Sequence, residues 1–418
     1  MTSTVHPATV LALLAIIASA SAYALIARPS ARAEASGKQE YEYFYEVDAD
    51  GDAQVMTRFL DETLQEGSSW VIVPTFVAWQ NRTSGSLLSS DVQPLVTEGV
   101  VNPFWANYSF TYLPRNGSFD LRIGFNVSQY AYIIEPNGFF FSSEIEFDPS
   151  AKGSLTVDLP NGTEVSSSNV RLVDYIRGNV VTPEGLSVRK LADGRLRVVA
   201  SAASHSRLAV AMTLPGKTVE KETLTVGRFS SQTPRRYAAR TGAILELYNR
   251  SYPILRDLFD VDLTNVNFTF FIPTIDQFLS GLGGFVPFTA EDHPGAVNVN
   301  MFYFRTMEGF IEIIALHELV HHFVWEVGIP PDKLWVHEGM AQYASIEVAK
   351  LLGYQAGAKD QEETIRRRAK SLDGQLGFVQ SWAQDQASDY VASYMVFKIL
   401  GDEHGGIGFY EKAGIGVK

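Results

Sequence analysis

Residues 310–328 read FIEIIALHELVHHFVWEVG, an apolar run interrupted by His317, Glu318, His321 and His322. His317 and His321 are four residues apart, one helical turn, so their imidazoles project from one face and can reach one cation. Glu318 lies about 100° further round the helix and stands beside that cation. This is the H-E-x-x-H arrangement, in which the two histidines bind zinc and the glutamate serves as general base. The pattern arises by chance in roughly one chain of this length per hundred, so its surroundings carry weight. Phe310, Ile313, Ile314, Leu316, Leu319, Val320 and Val324 predict a buried helix. A buried imidazole pair and a carboxylate without partners are costly, and a metal supplies the partner. His322 is about 140° from His317 and cannot share its metal. His322, His337 and the loop residue His293 are read as structural.

A third ligand should be His, Asp or Glu, with the fourth position left to water. Seventeen residues past His321 stands Glu338, in LWVHEGMAQYAS. Here the sequence resembles the gluzincin metallopeptidases, the class that includes thermolysin and the aminopeptidase N-type enzymes. These carry HExxH on one helix and a glutamate ligand on the next, often within W-x-x-E-G-x-A. Trp335, Glu338, Gly339 and Ala341 match that context in order. The resemblance spans roughly residues 235–418. It implies one Zn²⁺ ion on His317, His321 and Glu338, with Glu318 as catalytic base and a peptide or protein as substrate. It also implies a tyrosine that stabilises the oxyanion from a later segment. SDYVASYMVFKIL offers Tyr390 and Tyr394, and Tyr390, at the start of its helix, is the better match. The strand AVNVNMFYF would lie at the sheet edge beside the substrate. The aminopeptidase signature G-x-M-E-N, which recognises a free amino terminus, is absent.

The elements that must position these residues are legible from periodicity. From 39 to 228 the chain alternates short runs rich in Val, Ile, Tyr and Phe with turns such as Pro136-Asn137-Gly138 and Pro160-Asn161-Gly162. That pattern predicts an all-β, sandwich-like domain. Beyond it, helical spacing predicts helices over 235–259, 306–327, 335–352, 361–372 and 388–401. NVNFTFFIP and AVNVNMFYF read as strands, and TIDQFLSGLGG reads as a short helix ending in glycines. The fold class is therefore α+β: an N-terminal β-rich domain, then a mostly helical zincin-like domain with a small edge sheet. The expected divisions are 1–37 for a targeting segment and linker, 38–230 for the β-rich ectodomain and 231–418 for the metallopeptidase-like domain.

Composition narrows the function classes. The chain has 418 residues, 46% hydrophobic and 19% charged, with a net charge of -13. Such a polyanion repels phosphate backbones, so nucleic acid is not expected as a partner. There are no cysteines, which removes disulfides, thiolate catalysis and Cys-bound zinc, and leaves His and carboxylates as metal ligands. Residues 8–27 carry no charge and are long enough to span a bilayer, as a signal peptide or a retained anchor. Seven Asn-X-Ser/Thr sequons, at Asn81, Asn107, Asn116, Asn126, Asn161, Asn249 and Asn267, occur among 14 asparagines. Chance would give about two. The excess points to N-glycans and a location outside the cell or at its surface. A second reading keeps this location but assigns no catalysis: a glycosylated cell-surface module whose peptidase-like domain is structural or binding only. Stoichiometric zinc in the purified protein separates the two.

Overall fold

The computed structural model describes residues 39–408 together with Leu13–Leu14, apart from 64, 98–99, 149, 175–178, 289–292, 306–307, 331 and 383–386. The apolar run 8–27 and the linker after it lie outside the described residues, except for Leu13–Leu14. Among the described residues no helix is long and apolar enough to cross a membrane. The chain divides into two compact units, with the division between Thr218 and Val219.

The first unit is all β. A seven-stranded sheet runs in the order Ser187–Lys190, Leu196–Ser201, Lys152–Leu159, Gln39–Val47, Ala53–Asp61, Phe119–Val127, Trp79–Ser84. A five-stranded sheet centres on Ser206–Thr213, and a three-stranded sheet contains the long hairpin Ser86–Thr97 and Val100–Leu113. Period-two alternation explains the core. In Gln39–Val47 the residues Tyr41, Tyr43, Tyr45 and Val47 are buried while their neighbours face outward. Tyr41 and Phe59 meet edge-on at 5.1 Å, and Tyr112 stacks on Phe119 at 4.3 Å. The aromatics that mark this half of the sequence are its core.

The second unit opens on a hairpin, β1 (Lys221–Val226) and β2 (Phe229–Pro234). Then come helix α1 (Ala238–Phe259), strand β3 (Val266–Phe271), short helix α2 (Ile275–Leu279), strands β4 (Leu282–Phe285) and β5 (Val297–Asn300), and helix α3 (Phe310–Glu326). Helices α4 (Leu334–Leu351), α5 (Gln355–Ala369) and α6 (Ala387–His404) follow. The sheet order is β4-β5-β3-β2-β1, and Leu13–Leu14 pairs antiparallel with β4. The expected boundary at 230/231 gives way to 218/219, because β1 pairs with β2 and β2 pairs in parallel with β3.

Two local expectations change. Of the glycines in TIDQFLSGLGG only Gly281 terminates the helix as expected, whereas Gly283 and Gly284 belong to a strand. The helix stops at Leu279, Gly281 turns the chain at φ 78°, and Leu282–Phe285 becomes a strand. The segment AVNVNMFYF is not the sheet edge. Its strand β5 lies inside, parallel to β3 on one side and antiparallel to β4 on the other. β4 lies between β5 and Leu13–Leu14, which takes the outer position expected of β5.

Helix α3 begins where Gly309 adopts φ 91° and its N–H donates to the Glu312 carboxylate at 2.9 Å. It ends at Gly328, φ 85°, before Pro330. From Phe310 to Val324 it is buried on every side, Glu312 excepted, because it packs on α1, α4, α5 and strands β4 and β5. Gly357 in the first turn of α5 permits this: a Cβ there would stand 2.9 Å from the backbone of Gly309. That close approach explains why α5 starts at Gln355, earlier than the periodicity predicts.

Candidate metal centre

His317 and His321 sit one turn apart in the middle of α3, with ring centroids 4.8 Å apart. Glu338 comes from the first turns of α4, which packs against α3. His317 Nε2 lies 3.1 Å from Glu338 Oε2, and His321 Nε2 lies 3.8 Å from Glu338 Oε1. Among the described residues these three form one group whose ligand atoms all lie within 4.8 Å of one another. All three are buried, at 1%, 2% and 2% exposure.

Several contacts fix this convergence. On the α1 side, the Tyr248 hydroxyl donates to the Ala315 carbonyl at 3.0 Å, two residues before His317. On the α4 side, Ser393 of α6 donates to the Trp335 carbonyl. Gly339, next to Glu338, leaves no room for a side chain, since a Cβ would overlap Phe397 and Ser393 of α6. His337 is fully buried, its Nε2 donating to the Ile329 carbonyl at 3.0 Å and its ring 6.0 Å from that of His321. It therefore packs behind a ligand and anchors the loop between α3 and α4. His322 is also buried, on another side of α3, and Nε2 of its ring makes no hydrogen bond.

Glu318 is fully buried and neither of its carboxylate oxygens has a hydrogen-bond partner. Burial, and then the charge of Glu338, push its carboxyl well above the ordinary range. Burial and the neighbouring rings of His317, His337 and His322 push His321 well below the usual imidazole value, so it is neutral and able to ligate. Burial raises Glu338, and His317 partly offsets that. Glu338 Oε1, like both Glu318 oxygens, is buried without a hydrogen bond. Two imidazoles and a carboxyl group, dry and under-bonded, fit a zinc ion by donor type, number and reach.

Gly284 belongs to this site and was not singled out in the sequence. A Cβ on it would meet Glu318 Cγ, Glu318 Oε1 and the Asn298 carbonyl, each at 2.7 Å. Only a hydrogen at this position lets strand β4 pass over the Glu318 carboxylate. The signal was present in LSGLGGF, but glycines after a short helix also read as a helix stop.

The two tyrosines separate. Tyr394 is 1% exposed and its hydroxyl donates to Glu362 of α5 at 3.1 Å, which commits it to the helical core. Tyr390 is half-buried, its ring edge-on to Trp382 at 4.8 Å.

No protein-family pattern matches the chain, and no curated protein matches it. Among solved structures it is similar to native leukotriene A4 hydrolase from Saccharomyces cerevisiae, at 15% identity and TM-score 0.32, covering 92% of this chain and 65% of that one. It is also similar to a point mutant of the M1 zinc metallopeptidase from Deinococcus radiodurans, at 12% identity and TM-score 0.31, covering 91% of this chain and 86% of that one. The chain thus spans 65% of the length of the first. At these identities and scores the likeness adds nothing to what the site's own residues say.

Proposed function

We propose that the 219–418 unit is a zinc-dependent peptidase. The observation that carries this is the meeting of His317, His321 and Glu338 within 4.8 Å, with the unpartnered Glu318 carboxylate one residue along the same helix. Zinc held by the three ligands would supply Lewis acidity and bring a water's pKa towards neutrality. Glu318 then does the proton work. It accepts a proton from water as the oxygen attacks the peptide carbonyl carbon. It delivers that proton to the amide nitrogen as the C–N bond breaks. General acid–base help of this kind is worth about 10²–10⁴-fold. Its dry setting suits the role, since burial raises the carboxyl, the direction that makes it a stronger base. Tyr390 is assigned as the hydroxyl donor to the developing oxyanion, because the hydroxyl of Tyr394 is spoken for by Glu362.

The protein acts outside the cell or at its surface, exported through or anchored by residues 8–27, and carries N-glycans. Supporting this, six of the sequon asparagines (Asn81, Asn116, Asn126, Asn161, Asn249 and Asn267) are exposed, while Asn107 is half-buried. Mass spectrometry of the secreted protein from a glycosylating host should find glycans at those six. Unmodified asparagine at all of them would contradict the location.

The test of the peptidase reading is a peptide-library digest, with and without a chelator, read by mass spectrometry. Chelator-sensitive cleavage is expected. Zinc-loaded protein that cleaves nothing would favour the non-catalytic module instead.

A further inference from the structure

The sheet of the second unit is completed by backbone from the far N-terminal end of the chain. Leu13–Leu14 lies antiparallel along the outer side of β4, with Leu13 opposite Gly284 and Leu14 opposite Leu282. Gly284 is the residue that passes over the Glu318 carboxylate, where a Cβ would stand 2.7 Å from Oε1. The other side of β4 is taken by β5. The opposite edge of the sheet, at β1, is four strands away, roughly 19 Å at the usual strand spacing. In this sheet, therefore, an added extended chain comes beside Glu318 only along the outer side of β4. The pairing there is two residues long, with a shift of register between them. So short and irregular a ladder is readily displaced. It forms because the segment belongs to the same chain, which makes the encounter intramolecular.

We infer that the outer edge of β4 is a docking edge for the chain's own N-terminal apolar segment, which covers Glu318 and must leave before a peptide is cleaved. A substrate has to bring its scissile carbonyl to the water that Glu318 deprotonates. A backbone laid across Gly284 competes for that space. The docking does not rest on the peptidase reading; its effect on turnover does. Residues 8–27 are also the segment proposed above for export or anchoring. Pairing with β4 and spanning a bilayer exclude each other, because a membrane span satisfies its backbone groups internally. Entry of the segment into a membrane, or its removal, uncovers the edge.

The experiment compares the zinc-loaded full chain with the same chain carrying Leu13→Pro and Leu14→Pro together, since proline has no N–H to give a ladder. Three quantities are read: amide hydrogen exchange of 282–285, affinity for a tripeptide hydroxamate by calorimetry, and peptide turnover. In the variant, the β4 amides should exchange faster. Hydroxamate affinity and kcat/KM should rise roughly tenfold, equivalent to about 1.4 kcal/mol, with kcat unchanged because saturating substrate displaces the segment. A full chain cut in place at a protease site inserted within 28–38, and freed of the released piece, should show the same rises without any change at Leu13 or Leu14. Equal exchange of 282–285 in parent and variant overturns the docking. Faster exchange with unchanged hydroxamate affinity overturns the covering of the site. Hydroxamate affinity that rises in a protein that cleaves nothing supports the covering and counts against the peptidase reading alone.

Discussion

Gly284 leaves room for the Glu318 carboxylate, and that half of the pairing was invisible in the sequence. The glutamate was legible because H-E-x-x-H has a geometric meaning on any helix. The glycine was not, because its role comes from a strand that reaches α3 only in the fold. Replacing Gly284 with Ala places a methyl 2.7 Å from Glu318 Cγ and Oε1. The carboxylate must move, and misplacement by about 1 Å can cost roughly 10²-fold in rate. Gly284→Ala should therefore retain zinc, lose turnover by about two orders of magnitude, and change KM little. Unchanged kcat would show that Glu318 needs no fixed position. Tyr390 marks the limit of residue-level reading. Spacing offered two tyrosines and helix position favoured Tyr390, while the hydrogen bond from Tyr394 to Glu362 appears only in the fold.

Among elements, the helix pair α3–α4 was readable and its support was not. Periodicity placed both helices to within a few residues, because each turn repeats the same apolar demand. The packing of α6 on α4 depends instead on Gly339, whose missing side chain admits Phe397 and Ser393. Gly339→Ala over-packs this seam and should cost about 1–3 kcal/mol. It should also weaken zinc binding, because Glu338 is the neighbouring residue. Equal zinc affinity in a destabilised variant would uncouple α6 from the site.

In the β unit, Arg58 binds Asp120 by two hydrogen bonds, at 3.1 and 2.9 Å, and Glu42 by one at 3.0 Å. Burial would raise Asp120, but the hydrogen bonds and charges of Arg58 and Arg122 outweigh it and hold the carboxyl below its usual value. A depressed carboxyl stabilises the fold above its unfolded pKa, near 3.9, and loses that contribution as pH falls through the folded value. Arg58→Met should therefore cost on the order of 1 kcal/mol at pH 7, discounted for exposure. The difference should vanish once acid has protonated Asp120 in both proteins. A difference that persists in acid would mean that the Arg58 stem, not its charge, matters.

At the scale of the whole molecule, the β-to-helical change of composition was plain, while the division itself was displaced. Strands β1 and β2 look like the β-rich half in sequence, yet pair into the second sheet. Period-two alternation identifies a strand and says nothing of which sheet it joins. The metal centre lies wholly within residues 219–418. A ligand at about a thousand times its Kd stabilises the state that binds it by about 4 kcal/mol. Chelation should thus speed amide hydrogen exchange in α3 and α4 and leave the core strands at 39–61 unchanged. Equal acceleration in both units would mean that the metal stabilises the chain as a whole.

The central claim is that Glu318 does the proton transfer at a zinc held by His317, His321 and Glu338. Its most direct test compares zinc content and peptide turnover in the parent protein and in Glu318→Gln. The expected result is the same zinc content, with turnover reduced by about 10²–10⁴-fold. Full turnover in Glu318→Gln would contradict the account.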